Sequence, residues 1–410
     1  MVLVCLKMRI KIYKEKAKKA LNKKAKYGID IDIGKFLRSR KMLEPLVEMS
    51  DIKEKLEWVG IEVTERFRSG SYYQVNDIIL SAYSRVPGLK VLSLEQAYDE
   101  LGDELWDYYW KAIPVDTDKF TALVELVGKG GYVIIARKNS KITMPVQTCL
   151  LMQGNEILQA PHNIIIAEES SELTVITGCT QMRETSLLHA GVSEFYIKRG
   201  AKVKFIMIHS WGRQTYVRPR TGAIVEENAE FVSHYINLNP VQSLQTYPRV
   251  KAIGDRARVN ISSIIYSSFE SHADVGAEIF LDGNESKGEI ISRGLLKDSA
   301  RYIARAKITG AGRRVRGHIE CNTLLLSDEA IAKTIPELEA LNKEVSLTHE
   351  AAIGKLSQEH IQYLIARGFS EKEAISILVR GFMKIEIKGL PESLLRLINQ
   401  AIDMITRSVL

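Results

Sequence analysis

Short runs of alternating apolar and polar residues fill the middle of the chain, from about residue 120 to about residue 325. The runs are rich in β-branched and aromatic residues, and breaks such as Asp282-Gly283-Asn284 separate them. This alternation is typical of half-buried strands. We assign strands to residues 132–136, 163–167, 173–177, 194–197, 202–208, 223–225, 231–236, 258–266, 277–280, 287–292 and 304–309.

Helical periodicity is almost absent from this region. A doubly wound α/β fold needs a helix between successive parallel strands, so the pattern argues against it. A long all-β region can be a sandwich, a barrel or a solenoid such as a β-helix. The runs show no clean repeat, so periodicity alone leaves these three architectures open.

Helical patterns precede the strand-rich region. They cover Lys14–Lys26, Leu43–Glu57 and Leu94–Trp110, so most of residues 8–111 is predicted to be helical. The aromatic cluster at residues 106–110 is consistent with a ligand-binding box or with packing against the next domain, and we favour packing.

Helical periodicity returns at the C-terminus. Ser357–Arg367 and Ser370–Arg380 predict two helices, closed by Gly368 and Gly381 as left-handed caps. A last, strongly apolar helix is predicted over Leu394–Arg407. These helices are expected to cap the β region or to present a surface for a protein partner.

The patterns divide the chain into three predicted domains. Residues 1–115 form a helical region with a basic arm, residues 116–340 form the β core, and residues 341–410 form a helical domain.

Composition narrows the class of protein. With 45% apolar and 26% charged residues among 410, the chain has the make-up of an ordinary globular protein. No apolar run is long enough for a membrane span, and Met1–Leu6 is too short for a signal-peptide core. The four cysteines are far apart and form no CxxC pair, which favours a reducing cytoplasm over a disulfide framework.

The net charge of +7 is concentrated at the N-terminus. Residues 1–41 hold 14 Lys/Arg against 3 Asp/Glu, a local charge of +11, so the rest of the chain carries −4. A basic arm can bind nucleic acid. This one has few aromatic residues for stacking, and no basic stripe on the body continues it, so we favour a helix that docks locally.

The densest group of potential metal ligands lies between residues 318 and 350. Cys321 is followed by the adjacent pair His349 and Glu350, and a helical hairpin comes directly after them. A thiol, an imidazole and a carboxylate suit a site for iron. Adjacent residues on a strand face opposite ways, so His349 and Glu350 can both be ligands only if the backbone bends.

Two kinds of site find no support in the sequence. The other histidines show no HxH or HExxH spacing for a stable mononuclear metal site. We assign structural roles to Cys149, Cys179 and Cys5 by default. A role in sulfur handling stays open for Cys179. No GxxxxGK[ST] loop occurs, so ATP hydrolysis through that motif must come from a partner.

Several segments together resemble the SufB/SufD scaffold family of iron–sulfur cluster assembly, over about residues 120–385. They are Thr177–Thr180, Leu187–Ala190, Lys202–Phe205, Ser292–Gly294, Gly317–Leu326, Pro336–Glu339, His349–Ala351, Gln362–Leu364, Arg367–Phe369 and Glu373–Ile375.

The resemblance implies a right-handed parallel β-helix core between N-terminal and C-terminal helical domains. It also implies that the C-terminal helices bind a SufC-like ABC ATPase. Cys321 matches the cluster or persulfide cysteine of SufB, His349 a histidine of both subunit types, and Glu350 a glutamate specific to SufB. The Pro336–Glu339 segment is closer to SufD, so the chain mixes both signatures, as a single-subunit scaffold would.

One departure concerns sulfur delivery. Bacterial SufB chains carry a cysteine near the position of Ala223, and none is present here. A bacterial-style sulfur relay between two cysteines is therefore in doubt.

From these residues we expect a non-catalytic scaffold. One chain offers too few ligands to complete a cluster, whereas a two-fold homodimer doubles Cys321, His349 and Glu350 around one [2Fe–2S] or [4Fe–4S] cluster. The cluster would pass to apo iron–sulfur proteins. The alternatives are a SufD-type accessory subunit and, from another class, a polysaccharide-active β-helix enzyme, for which the acidic residues show no suitable repeat.

Overall fold

Parallel strands stacked in successive coils form most of the molecule. The computed structural model describes residues 2–38, 49–62 and 67–383, together with residues 399 and 403. The parallel β-helix implied by the resemblance is confirmed, with helices on its outer faces.

The N-terminal elements close the first end of the β-helix. Strands β1 and β2 form an antiparallel hairpin, β1 then pairs in parallel with the first full coil, and β3 pairs antiparallel with β4. In chain order the elements are α1 (Val2–Ala20), α2 (Gly34–Arg38), α3 (Met49–Trp58), β1 (Gly70–Val75), β2 (Ile78–Ser84), β3 (Leu89–Ser93), α4 (Leu94–Leu101), a 3₁₀ helix (Gly102–Asp107), α5 (Lys119–Val127) and β4 (Tyr132–Ala136).

The first four coils have three sides. Each contributes a first strand to one long sheet, called sheet A, then a short strand, then a strand to the opposite sheet, called sheet B. They comprise β5 (Val146–Met152), β6 (Ile157–Gln159), β7 (His162–Ala167), β8 (Glu172–Gln181), β9 (Leu187–His189), β10 (Val192–Ile197), β11 (Lys202–Ser210), β12 (Thr215–Val217), β13 (Arg220–Val225), β14 (Glu230–Asn237), β15 (Ser243–Thr246) and β16 (Arg249–Ala252).

The later coils have two sides, because β18 pairs with both β15 and β16 and so merges the short side with sheet B. They comprise β17 (Arg258–Ser267), β18 (His272–Leu281), β19 (Lys287–Leu296), β20 (Arg301–Gly310), β21 (Arg316–Leu325), β22 (Ile331–Ala340) and β23 (Ser346–Lys355). Two helices follow, α6 (Gln358–Ala366) and α7 (Glu371–Met383).

A regular coil length sets the register. From β11 to β23, each strand of sheet A starts 28 to 30 residues after the one before it. The expectation of no clean repeat is therefore wrong. The coils repeat in length and in backbone geometry, but residues at corresponding positions of successive coils are mostly different.

Apolar side chains from both sheets fill the interior. The ring of Phe195 packs there edge to face against Phe205 and tilted against Phe231, with centroids 4.8 and 5.0 Å apart. Inward positions alternate with outward ones along each strand, so a residue and its register partner project from the same face.

Helices cover both outer faces. Helices α1, α4 and α5 pack on sheet B, with Trp106, Tyr109 and Trp110 buried between them and the strands. The aromatic cluster therefore has the packing role that we favoured. On sheet A, α3 and α7 share a second apolar cluster, which includes Leu56 and Val379.

The basic arm docks on the body of the protein, as predicted. Ala17 and Ala20 of α1 are buried against the neighbouring helices, and Arg9 pairs with Asp103 at 3.7 Å. No helix in the described part of the chain is long and apolar enough to cross a membrane.

The predicted N-terminal elements need correction. Residues 70–93 form three strands inside the region predicted to be mostly helical. The helix predicted over Leu94–Trp110 breaks at Gly102, which has a φ of +53°, and continues as a 3₁₀ helix. Helix α5 was not predicted.

The C-terminal elements differ from the predictions in two places. The β-helix extends through β23 to Lys355, beyond the predicted boundary at residue 340. Gly368 adopts the left-handed conformation of a helix cap, with a φ of +97°, but α7 continues through Gly381, so that predicted cap is wrong. The helix predicted over Leu394–Arg407 lies outside the described residues, apart from residues 399 and 403.

Candidate functional site

Cys321 lies in the interior of the β-helix, near its C-terminal end. It is fully buried in β21, between Ser292 of β19 and Ala351 of β23 in the register of sheet A. Burial raises the pKa of its thiol to about 11, although a hydrogen bond with Ser292 opposes that rise. The thiol is therefore protonated at neutral pH in this closed arrangement.

His349 lies on the last strand, one strand away from Cys321. Its register partner is Ile319, which faces the interior as Cys321 does. His349 and Cys321 therefore project from the same face of sheet A. His349 is exposed because no further strand covers this end in the described part of the chain.

Glu350 projects from the opposite face. Its register partner is Glu320, which faces outward and pairs with Arg293 at 2.7 Å. The pairing of β21 with β23 is unbroken over ten residues, so the backbone does not bend at His349 and Glu350. Within one chain, the three predicted ligands do not converge, and their role stays a prediction.

Strand β23 and its neighbour β22 form an open end. Sheet A terminates at β23 and sheet B at β22 among the described strands. Every residue of β23 except Leu347 is exposed, and Ile331, Leu341 and Ile353 expose 43 to 56% of their surface. Unpaired edges of this kind favour pairing with another chain.

A second group of ligands does converge, deep in the β-helix. Cys179 and His209 are register partners on β8 and β11, and His189 of β9 faces them from the short side of the coil. One ligand atom from each lies within 4.8 Å of the others, and all three residues are buried. Among the described residues, these three therefore form a group whose ligand atoms are close enough together to hold a metal ion.

Hydrogen bonds orient both imidazoles of this group. Nδ1 of His189 lies 3.1 Å from Oε1 of Gln159, and Nδ1 of His209 lies 2.9 Å from the hydroxyl of Tyr235. Burial lowers the pKa of His189 to about 3 and holds that of His209 well below its ordinary value, so both rings are neutral. Burial likewise raises the pKa of Cys179.

Sequence reasoning did not join these three residues. Cys179 and His209 are 30 residues apart, which is the length of one coil, so a recognised period would have placed them side by side. His189 lies on a three-residue strand that no alternation pattern can reveal.

The other cysteines and the position of the missing bacterial cysteine lie outside the candidate sites. Cys149 is buried under α3 in the outer apolar cluster of sheet A. Ala223, near the position of the missing bacterial cysteine, faces the interior core. The side chain of Cys5 lies outside the described side chains.

The C-terminal hairpin presents an apolar surface. Val379 and Met383 of α7 anchor it to sheet A, whereas Tyr363, Phe369 and Ile377 are exposed. Exposed aromatic residues on such a surface are typical of protein interfaces.

Comparison with known proteins decides the family. The family model of the SUF system FeS cluster assembly, SufBD core domain, matches residues 150–382. This chain belongs to the SufBD family. It is thus an iron–sulfur cluster assembly protein by family, and the resemblance seen in the sequence is confirmed.

Full-length relatives support the assignment. The chain is 39% identical over 400 residues to an iron–sulfur cluster assembly SufBD family protein of Methanothermobacter thermautotrophicus, covering 95% of this chain and 97% of the relative. It is 44% identical over 363 residues to one of Archaeoglobus fulgidus, covering 88% and 97%. One from Staphylococcus epidermidis is 30% identical over 352 residues, covering 83% and 75%.

Proposed function

We propose that this SufBD-family protein is a scaffold on which an iron–sulfur cluster is built as cargo between two copies of the chain. The cluster then passes to apo iron–sulfur proteins. The scaffold itself catalyses no reaction, and an ABC-type ATPase partner supplies the energy. The observation that carries the proposal is the open end of the β-helix, where His349 and Glu350 lie on the edge strand β23, paired on one side with the strand of Cys321.

The donor set fits iron, but a single chain does not supply a complete site. Thiolate, imidazole and carboxylate are all ligands for iron, and clusters are held mainly by thiolates. Cys321 faces inward and Glu350 outward, so one chain presents them on opposite sides of sheet A. A two-fold partner that pairs edge to edge would bring a second set of all three to the same end.

Access to Cys321 would depend on β23. Ala351 of β23 lies next to Cys321, and α6 begins at Gln358, three residues after β23 ends. Movement of the α6–α7 hairpin would therefore pull directly on the strand that covers the thiol. A partner ATPase that binds the hairpin and changes shape with nucleotide would bias β23 between a closed and an open position.

Anaerobic reconstitution tests the scaffold proposal. The full-length chain is incubated with ferrous iron and sulfide and examined by visible and Mössbauer spectroscopy. We expect about one cluster per dimer for the wild type and for Cys149→Ala, whose thiol is also buried but lies outside the candidate site. Cys321→Ala is expected to take up none.

Equal loading of wild type and Cys321→Ala would contradict the proposal. So would the absence of any cluster in the wild type. Either result would favour an accessory subunit whose cluster chemistry belongs to a separate SufB-type chain.

A further inference from the structure

The interior cluster of Cys179, His189 and His209 has the features of a binding site that the proposed scaffold function does not use. It lies four strands away from Cys321 along sheet A, counted from β11 to β21. The three residues come from two neighbouring coils, and each is at most 1% exposed. A thiol and two imidazoles are uncommon together in an apolar interior, because buried polar groups need hydrogen-bond partners or a bound ligand.

The tautomer of His189 is fixed by a chain of hydrogen bonds. The side-chain nitrogen of Gln159 donates to the carbonyl oxygens of Leu151 at 3.1 Å and Asn76 at 3.3 Å. Its oxygen is therefore the atom that faces His189, and it can only accept a hydrogen bond. Nδ1 of His189 must carry the proton, so Nε2 has a free lone pair.

His209 has an unsatisfied nitrogen. Its Nδ1 is engaged by Tyr235, whereas its Nε2 is buried without a hydrogen-bond partner. A buried nitrogen without a partner costs roughly 1–3 kcal/mol, so such atoms are uncommon. Coordination of a metal ion by Nε2 would remove this cost. A metal-bound histidine usually donates its other N–H to an oxygen acceptor, and the hydroxyl oxygen of Tyr235 can accept from Nδ1 here.

The walls of the site hold the two imidazoles in place. The rings of His189 and His209 are nearly perpendicular, at 89°, with centroids 5.6 Å apart. Trp211 packs against both, at 5.1 and 5.7 Å, and Tyr235 packs against His209. Because Trp211 is buried and Tyr235 is half-buried against the core, packing pre-positions the ligand side chains.

We propose that Sγ of Cys179 and the Nε2 atoms of His189 and His209 bind one divalent transition-metal ion inside the β-helix. The donor set suits ions of the Fe²⁺, Co²⁺ and Zn²⁺ class. The thiol gives up its proton to solvent on binding, the imidazoles bind as neutral ligands, and no electron is transferred.

The geometry requires little rearrangement. One ligand atom of each residue lies within 4.8 Å of the others, so bonds of about 2.0–2.3 Å to a shared ion require the three side chains to close in by roughly 1 Å. Three protein ligands leave a fourth position open, so the ion is held less completely than in a closed structural site. The site is therefore expected to release its ion to a strong chelator once the chain opens.

Cobalt is the probe of choice, because a thiolate ligand gives Co²⁺ a near-ultraviolet charge-transfer band. The test uses the full-length chain with Cys321→Ala, so that the candidate cluster site contributes no thiolate. This protein is produced in cobalt-supplemented medium and purified anaerobically. We expect about one cobalt per chain by elemental analysis, the charge-transfer band, and the visible bands of four-coordinate Co²⁺.

Matched variants in the same background separate ligands from neighbours. Adding Cys179→Ala is expected to abolish the charge-transfer band, and adding His209→Gln to weaken cobalt binding at least about tenfold. Adding Cys149→Ala or His234→Gln, each of which alters a buried residue outside the cluster, is expected to leave one cobalt and an unchanged spectrum.

The proposal is overturned by either of two results. One is a Cys321→Ala chain with native circular dichroism that holds no cobalt. The other is a Cys179→Ala variant that keeps both the cobalt and the charge-transfer band. Neither result bears on cluster assembly at Cys321, so failure here is distinct from failure of the scaffold proposal.

Discussion

Cys321 is a thiol whose surroundings keep it protonated. Burial raises its pKa to about 11, from the value of 9.0 for an unperturbed thiol on the same scale. Only the thiolate is an effective nucleophile and metal ligand. The resting interior therefore protects Cys321, and cluster chemistry at this residue depends on opening of the end of the β-helix.

We expect this protection to appear in alkylation rates. At pH 8, iodoacetamide should modify Cys321 at least about 100-fold more slowly than an ordinary thiol, because the thiolate fraction falls tenfold per unit of pKa. The rate should rise about tenfold per pH unit up to about pH 11. Mass spectrometry of the digested protein measures it, and modification at an ordinary rate at pH 8 would refute the closed arrangement.

His234 gives a second residue-level prediction. It lies on the outer side of sheet A, 5% exposed, with Nδ1 against the hydroxyl of Ser262. Burial, with a contribution from Lys204, lowers the pKa of His234 to about 4. The unfolded chain binds this proton near pH 6.5, so the free energy of unfolding falls as the pH drops from about 6.5 towards 4.

Between pH 7 and pH 5, this histidine should remove about 2 kcal/mol of stability. Urea unfolding of wild type and His234→Gln at the two pH values measures the difference. The variant should lose less stability on acidification than the wild type, by about that amount. His318→Gln, which removes a half-buried imidazole of the same sheet, is the control.

At the scale of elements, glycine spacing allows the coils to stack. Gly254, Gly283 and Gly312 occupy corresponding turns of successive coils, 29 residues apart. A Cβ on Gly283 would lie 1.8 Å from the carbonyl oxygen of Gly254, and one on Gly312 would lie 2.4 Å from that of Gly283. Only a residue without a side chain fits between these backbones.

We therefore expect Gly283→Ala to destabilise the protein by roughly 3 kcal/mol or more, because the clash is with backbone that cannot move aside. Gly354→Ala is the matched control, since a Cβ added to this residue of the exposed strand β23 would meet no atom within 4 Å. Thermal unfolding compares the two. Equal melting temperatures would show that the turns do not stack as described.

The sequence predicted the central strands well, and their positions agree closely with β4, β7, β11 and β17. Alternation succeeds there because one face of each strand is the apolar interior. It fails for β1, where Gln74 is fully buried but its side chain donates to the carbonyl of Lys129 and accepts from the N–H of Gly131. When the hydrogen-bond partners of a buried polar residue are distant in sequence, the alternation of apolar and polar residues around it does not reveal its burial.

The site was only partly accessible to sequence reasoning. Cys321, His349 and Glu350 were singled out because they are concentrated near a recognisable motif, and the sequence indicated that the adjacent His349 and Glu350 would face opposite ways if they lay on a strand. That Cys321 would be sealed beneath an unbroken strand could not be anticipated, since it depends on the register between β21 and β23. Predicting the interior cluster of Cys179, His189 and His209 would have required the length of one coil, which the sequence pattern did not show.

At the scale of the whole molecule, the open end should determine the oligomeric state. Ile353 faces inward on β23 and remains 43% exposed. Placing a charge there should weaken a dimer formed at this end by at least about tenfold, because a buried apolar side chain is worth roughly 2 kcal/mol.

Light scattering behind a sizing column tests this expectation. The wild type should have the mass of two chains and Ile353→Lys that of one. Ile253→Lys, at an equally exposed isoleucine in a turn remote from β23, should remain a dimer. A wild type that runs as a single chain would contradict the proposed inter-chain site.

The helical hairpin should determine the partner. Tyr363 is 58% exposed on α6, next to the apolar surface that includes Phe369 and Ile377. We expect Tyr363→Ala to weaken binding of a SufC-type ATPase by roughly 2 kcal/mol, or about 30-fold, as for an aromatic interface residue. Calorimetric titration with the purified ATPase measures this, and Met144→Ala, at an exposed apolar residue of the β region, should bind normally.

The two ends of the β-helix differ in a way that limits the assembly of many chains end to end. At the first end, β2 and β3 run antiparallel to their neighbours and interrupt the parallel pairing that a second chain would have to continue. At the other end, β22 and β23 offer parallel edges. Among the described strands, a pair of chains that joined edge to edge at β22 and β23 would use both of these edges, which disfavours head-to-tail stacking into fibres.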